Sequence, residues 1–159
     1  MPANSVGERG ALPQGKRRYG KLDLLSSYWR LGRIRYLAYS YAFLVVAVLS
    51  TWGISWLLPL LPLSFRALVA GFLYTVVWGG FLYLFSILSI KRCHDFDVSG
   101  WWALLLLLFP PAIVLLWVMP GTDGVNRYGR DMPPNSLPEK LLALLALVFF
   151  LSVGVLWLE

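Results

Sequence analysis

The sequence predicts an all-α fold: a polytopic transmembrane helical bundle of about four hydrophobic helices, with a short interfacial helix before the first. Three observations carry that expectation. Of 159 residues, 58% are apolar or aromatic and only 14% are charged, against roughly 45–50% apolar and 25% charged in ordinary soluble domains. Four stretches, residues 36–58, 67–90, 100–119 and 141–158, hold no Asp, Glu, Lys, Arg or His. At about 1.5 Å per helical residue, the first three can cross a hydrocarbon layer roughly 30 Å thick and the fourth just reaches. The net charge of +6 is concentrated before the first span, where Arg9, Lys16, Arg17, Arg18, Lys21, Arg30, Arg33 and Arg35 face only Glu8 and Asp23. A globular enzyme built on a nucleotide-binding sheet is excluded.

Residues 1–21, with scattered Gly and Pro and few apolar side chains, read as a disordered basic tail. Residues 22–35 read as an interfacial basic amphipathic helix, with Leu22, Leu25, Trp29 and Tyr36 at helical spacing and Arg30, Arg33 and Arg35 between them. Lys and Arg flanking a first span are retained in the cytoplasm, which places the N-terminus inside. The same cluster favours anionic lipid headgroups. Nucleic acid is not an expected partner, because the cluster precedes a membrane span and contains no groove-reading module. The first apolar run is too long for a cleavable leader and lacks a small-residue cleavage pattern, so it is expected to remain as a signal anchor. Cys93 is the single cysteine, which forbids an intrachain disulfide and leaves no cysteine-based metal framework.

The membrane domain, residues 36–134, is expected to hold three hydrophobic helices and two polar motifs, with a fourth transmembrane helix in 135–159. Pro59 and Pro62 end span one in a short turn, so spans one and two form an antiparallel pair. Ala47, Thr51 and Ser55 on span one, and Gly71, Thr75 and Gly79 on span two, recur at i, i+4, i+8 as small-residue rows suited to close helix packing in lipid. Span three contains Pro110 and Pro111, which kink or split it. If it crosses, basic residues divide ten inside to four outside; if it is a re-entrant hairpin, they divide thirteen to one. Each half of a hairpin would have only about ten residues, and kinked crossing helices are the commoner use of membrane proline, so crossing is the expectation.

No span carries an ionisable residue of the kind that builds proton relays and ion paths, which argues against a coupled transporter. Chemistry is therefore confined to the membrane surfaces, where two clusters stand out. The first contains Lys91, Arg92, Cys93, His94, Asp95, Asp97, Ser99, Gly100, Trp101 and Trp102. On a continued helix Lys91 and Arg92 can pair with Asp95 at i+4 and i+3, Asp97 or Ser99 can cap the next helix, and the tryptophans sit at headgroup depth. That structural reading stands beside a functional one, in which free N–H groups at the start of span three, with Lys91 or Arg92, form an anion site for a phosphate or headgroup. His94 and Asp95 could act as base and orienter only if a local turn brought their side chains together. No metal and no cofactor is expected, since one His with this spacing matches no compact ligand set.

The second cluster runs through Pro120, Gly121, Thr122, Asp123, Gly124, Asn126, Arg127, Tyr128, Gly129 and Arg130, a compact loop with Pro-Gly and Asp-Gly turn signals. Its bland reading is a rigid turn against headgroups. Its sharper reading docks Asn126, Arg127 and Tyr128 onto the first cluster, with Arg127 pairing with Asp95 or Asp97.

At these two clusters the chain resembles the bacterial domain of unknown function 805 family of small inner-membrane proteins. The first family pattern is matched by Lys91, Arg92, His94, Asp95, Ser99, Gly100, Trp101 and Trp102, and the second by Pro120, Gly121, Gly124, Asn126, Tyr128 and Gly129. The likeness covers roughly residues 28–134. Cys93 replaces a usual Leu, Asp97 and Val98 replace a small and a basic residue, and Met132 interrupts an Asp-Pro ending. The resemblance implies a multi-pass protein of the bacterial inner membrane and supplies no reaction. The leading functional expectation is a binding or interaction protein that engages lipid headgroups, a partner membrane protein or further copies of itself. The alternatives are an oligomeric channel or transporter component, and an interfacial enzyme using His94 and Asp95.

Overall fold

A computed structural model of the chain describes residues 30–109, 113–130 and 132–156. Five helices appear in it: α1 (Arg33–Leu57), α2 (Leu63–Asp95), α3 (Trp101–Leu108), α4 (Ile113–Val118) and α5 (Leu137–Leu156), with a 3-10 turn (Leu58–Leu60) between the first two. The described residues contain no strand, only an isolated bridge between Asn126 and Gly129.

Pro59 and Pro62 stop α1 and set the start of α2, because each lacks an N–H to donate along a helix. Arg66 closes the turn between them, donating from Nε to the Leu61 carbonyl and from Nη2 to the Pro59 carbonyl, both at 2.8 Å. Contacts near both ends align the two helices antiparallel: Tyr36 Oη lies 3.1 Å from Ser89 Oγ, and Ser55 Oγ lies 2.8 Å from Tyr74 Oη. Beside α1, α5 runs in the same direction, Arg35 meeting Glu139 and Tyr41 packing 5.6 Å from Phe149.

Among the described residues three helical segments are long and apolar enough to cross a membrane: Arg33–Leu60, Leu63–Asp95 and Leu137–Gly154. The expected crossing by residues 100–119 is not among them. Its place is taken by α3 and α4, of eight and six residues, about 12 and 9 Å long and far short of a hydrocarbon core. The segment ends where it began, for the Thr122 N–H donates to the Asp95 carbonyl at 2.8 Å. Two adjacent prolines remove two helix donors in the middle of this segment; Pro110 and Pro111 themselves lie outside the described residues.

Two further expectations concern the segment before α1 and the small-residue rows. Of the interfacial helix, residues 22–29 lie outside the described residues, as does the tail at 1–21; residues 30–32 are not helical, and Arg30 and Leu31 are buried. The small-residue rows do not face each other. Ala47 is buried, Thr51 donates to the Ala47 carbonyl at 2.8 Å, and Ser55 reaches Tyr74, but Gly71, Thr75 and Gly79 are exposed, with open space beside both glycines. The reason is angular: the inward face of α2 is set by Phe81, Phe85 and Leu88, and Phe81 lies about 200° round the helix from Gly79.

The packed core lies at one end of the bundle. Leu31, Tyr36, Phe85, Leu88, Cys93, Ala103 and Leu116 form it, with Phe43, Ile90, Phe96, Val98 and Trp117 against them. Toward the other end, Trp52, Trp56, Leu68, Phe72 and Val76 are exposed, as lipid-facing side chains would be.

Candidate functional site

The start of α1, the end of α2 and the start of α5 meet above that core, and there the two polar clusters form one unit. Asp95, in the last turn of α2, is central. Its carboxylate receives Arg30 from one side, Nε to Oδ1 at 3.1 Å, and Arg92 Nη1 from the other on Oδ2. Arg92 precedes it by three residues, the helical spacing at which opposite charges meet. Both guanidiniums are buried, Arg92 completely, so their charges require compensation within the protein.

Each arginine also grips the returning chain. Arg92 donates from Nε to the Leu116 carbonyl at 2.8 Å and from Nη2 to the Met119 carbonyl, satisfying acceptors that the end of α4 leaves without helical partners. Arg30 donates to the carbonyls of Thr122 and Gly124. Thr122 answers with its N–H and its hydroxyl, both to the Asp95 carbonyl. Arg92 also stacks over Phe96, 4.3 Å from the ring centroid.

Glycine is required where the two clusters touch. A Cβ on Gly121 would stand 2.0 Å from Asp95 Oδ2, and one on Gly100 would stand 2.8 Å from Ile90 Cγ2 and 3.3 Å from His94 Nε2. In the second loop Asn126 Nδ2 donates to the His94 carbonyl at 2.8 Å, its Oδ1 accepts the Tyr128 N–H at 2.9 Å, and Tyr128 stacks on the His94 ring at 3.8 Å and 6°. Asn126, Arg127 and Tyr128 therefore all dock on the first cluster. Arg127 meets Asp97, not Asp95, with Nε 3.1 Å from Oδ1. That exposed contact holds the Asp97 carboxyl below its ordinary range, chiefly through the side-chain hydrogen bond from Arg127.

Asp97 has a different role from the one its sequence position suggests. It does not cap α3, whose preceding residue Gly100 supplies no side-chain bond. It closes α2 instead: with φ 61° it takes the left-handed position of a Schellman motif, its N–H donating to the His94 carbonyl at 3.1 Å and the Val98 N–H to the Cys93 carbonyl at 3.2 Å. At the start of α3, where an anion site was one of the two readings, Arg92 is directed to Asp95 and to α4, and Trp101 and Trp102 are exposed. Cys93 is a buried thiol. Lys91 is buried too, its carbonyl accepting the Leu31 N–H at 3.2 Å. Among the described residues no group of His, Cys, Asp and Glu side chains could hold a metal.

A third buried arginine ties α5 to this unit. Arg35 donates from Nε to Glu139 Oε1 at 2.8 Å and from its two terminal nitrogens to the Pro133 and Pro134 carbonyls, each at 2.9 Å. The same Glu139 oxygen accepts Tyr39 Oη at 2.6 Å, and Oε2 accepts the Ser136 N–H at 2.7 Å. Ser136 and Glu139 stand in the S-x-x-E spacing of a capping box before an apolar run, a signal in the sequence that would have marked Glu139. Arg30 and Arg35 had no local signal beyond their charge.

Between the start of α1 and the loops at 120–123 and 132–135 lies an open cavity of about 390 Å³. Arg30, Arg33 and Arg35 line it together with Asp95, Thr122 and Asp123. Its volume falls within the roughly 300–1,000 Å³ of small-molecule sites.

The profile of a family described as "Protein of unknown function (DUF805)" matches residues 26–130. Among curated relatives, the Inner membrane protein YhaI of Escherichia coli (strain K12) is 51% identical over 47 residues, covering 28% of this chain and 40% of the relative. The Inner membrane protein YhaH of the same strain is 38% identical over 63 residues, covering 36% of this chain and 50% of the relative. The matches thus span half or less of these relatives' lengths. No solved structure matches the chain significantly.

Proposed function

The chain belongs to the DUF805 family of uncharacterised inner-membrane proteins, and we propose that it is a phospholipid-binding protein whose two motifs build a folded platform at the cytoplasmic surface. The observation that carries this reading is the cavity at the start of α1, open to the surface and lined by three arginines. It opens at the polar end of the helical bundle, where headgroups lie. Arg92 and Asp95 serve this platform by holding it together, and Arg33, exposed and lining the cavity, is the residue that meets the ligand.

The topology we propose has three crossings, by α1, α2 and α5, with α3 and α4 as a re-entrant hairpin. Charge supports it. Among the described residues Arg30, Arg33, Arg35, Lys91, Arg92, Arg127, Arg130 and Lys140 belong to the end that carries the platform, and Arg66 stands alone at the other. The positive-inside rule then puts the platform and the N-terminus in the cytoplasm. In this arrangement residues 1–35 bring the basic excess to the cytoplasmic side, residues 36–134 form the two-motif domain, and 135–159 supply the last crossing.

The test is the phospholipid content of the full chain purified in mild detergent, read as phosphorus per protein. Wild-type protein is expected to retain about one phospholipid, and Arg33→Glu to lose most of it while remaining monodisperse. Equal phosphorus in the two proteins would overturn the reading, and would redirect attention to a partner membrane protein at the same surface.

A further inference from the structure

Resting on that reading, the charges of the cavity specify which headgroup fits. Four ionisable side chains besides Arg33 line it, and three of them already face opposite charge: Arg30 and Asp95 each other at 3.0 Å, and Arg35 the Glu139 carboxylate at 2.8 Å. Arg33 and Asp123 form no ion pair or hydrogen bond among the described residues. The cavity is therefore lined by one unengaged cation supplied by α1 and one unengaged anion supplied by the loop after α4. We infer that it takes a zwitterionic phospho-amine headgroup, the phosphate at Arg33 and the ammonium at Asp123.

The chemistry at each pole is consistent with that assignment. At the Arg33 pole α1 begins with no side-chain cap and no acidic residue in its first turn, so its first amides add to the attraction for phosphate oxygens. A guanidinium presents its donors as a planar fork that matches phosphate. At the other pole, Asp123 accepts hydrogen bonds that an ammonium can donate and that a second phosphate or a glycerol headgroup cannot match in charge. A headgroup whose phosphate is its only charged group, such as phosphatidylglycerol, would satisfy Arg33 and leave Asp123 without a counter-charge, so the pair discriminates through the contact that such a headgroup lacks.

The experiment titrates the full chain in detergent with phosphatidylethanolamine, with phosphatidylglycerol and with soluble phosphoethanolamine, reading bound adducts by native mass spectrometry. Wild-type protein should favour phosphatidylethanolamine over phosphatidylglycerol about tenfold, the worth of one charge-assisted contact. Asp123→Asn should abolish that preference while still binding phosphatidylglycerol, and Arg33→Gln should weaken both lipids. Both side chains are exposed, and an unchanged unfolding temperature verifies that the variants fold. Binding of phosphoethanolamine without retention of the lipid would uphold the headgroup chemistry and assign it to a soluble source. Equal binding of the two lipids in wild type and Asp123→Asn would overturn the zwitterion assignment and leave lipid binding standing. Binding of none of the three would overturn both.

Discussion

The two ends of this bundle are built on opposite rules. At one end Arg30, Arg35, Lys91, Arg92, His94 and Asp95 are buried, while along the rest of α1 and α2 Trp52, Trp56, Leu68, Phe72 and Val76 are exposed. In a soluble protein that distribution would be inside out. It is coherent if lipid surrounds the long apolar helices and the charged end carries its own fold. Between helices in lipid there is little hydrophobic drive, because lipid tails are as apolar as the side chains. The specific shape of the molecule therefore depends on the charged end, where each buried guanidinium is paired to a carboxylate and to loop carbonyls.

The sharpest way to break that contrast is to remove the shared carboxylate. Asp95→Ala leaves two buried guanidiniums without their counter-charge, a change of the kind that costs about 3–5 kcal/mol. Thermal unfolding in detergent should show it, together with new protease cleavage in residues 119–125. Next comes Gly121→Ala, which drives a methyl to 2.0 Å from Asp95 Oδ2. Since that carboxylate is held from both sides, the loop must move, at about 1–3 kcal/mol, visible in the same melt.

How far the sequence foretold this contrast depends on the residue. The apolar runs announced a membrane protein, and the i, i+3 spacing of Arg92 and Asp95 announced their pairing. The docking of Asn126, Arg127 and Tyr128 on the first cluster was also within reach, because turn residues and complementary charges stood in both loops. The path of residues 100–119 was not: two prolines kink a crossing helix or split it into a hairpin, and the choice rests on Arg92 reaching the Leu116 and Met119 carbonyls, a contact 24 and 27 residues distant. Arg30 and Arg35 looked like surface charges because their partners, Asp95 and Glu139, lie 65 and 104 residues away. The exposure of the Gly71 row was not legible either, since small residues suit a helix seam without specifying which helix they meet.

Smaller effects sharpen the comparison from its edges. The Arg127 contact lowers the Asp97 pKa, so its contribution is complete above the ordinary carboxylate range and is lost only as the pH falls through the depressed folded value. Both side chains are well exposed, so the melting temperature should barely respond. Amide protection in residues 126–129, taken relative to the intrinsic exchange rate at each pH, should fall in Arg127→Ala at neutral pH, and in wild type only at acid pH. Last, Leu68→Ala on the exposed apolar face should leave the melt within about 0.5 kcal/mol; a loss comparable to that of Gly121→Ala would mean that this face packs against protein.

Three crossings and a re-entrant hairpin put both motifs on one side of the membrane, and cysteine labelling tests that arrangement directly. Native Cys93 is buried, so the background is Cys93→Ser, with single cysteines placed at Val125 in the second loop or Leu63 in the opposite turn, which are 74% and 80% exposed. A membrane-impermeant maleimide is applied to intact spheroplasts and then to opened membranes. The Leu63 position should react in intact spheroplasts and the Val125 position only after opening. Reaction of both positions in intact spheroplasts would mean that residues 100–119 cross the membrane, and would contradict that arrangement.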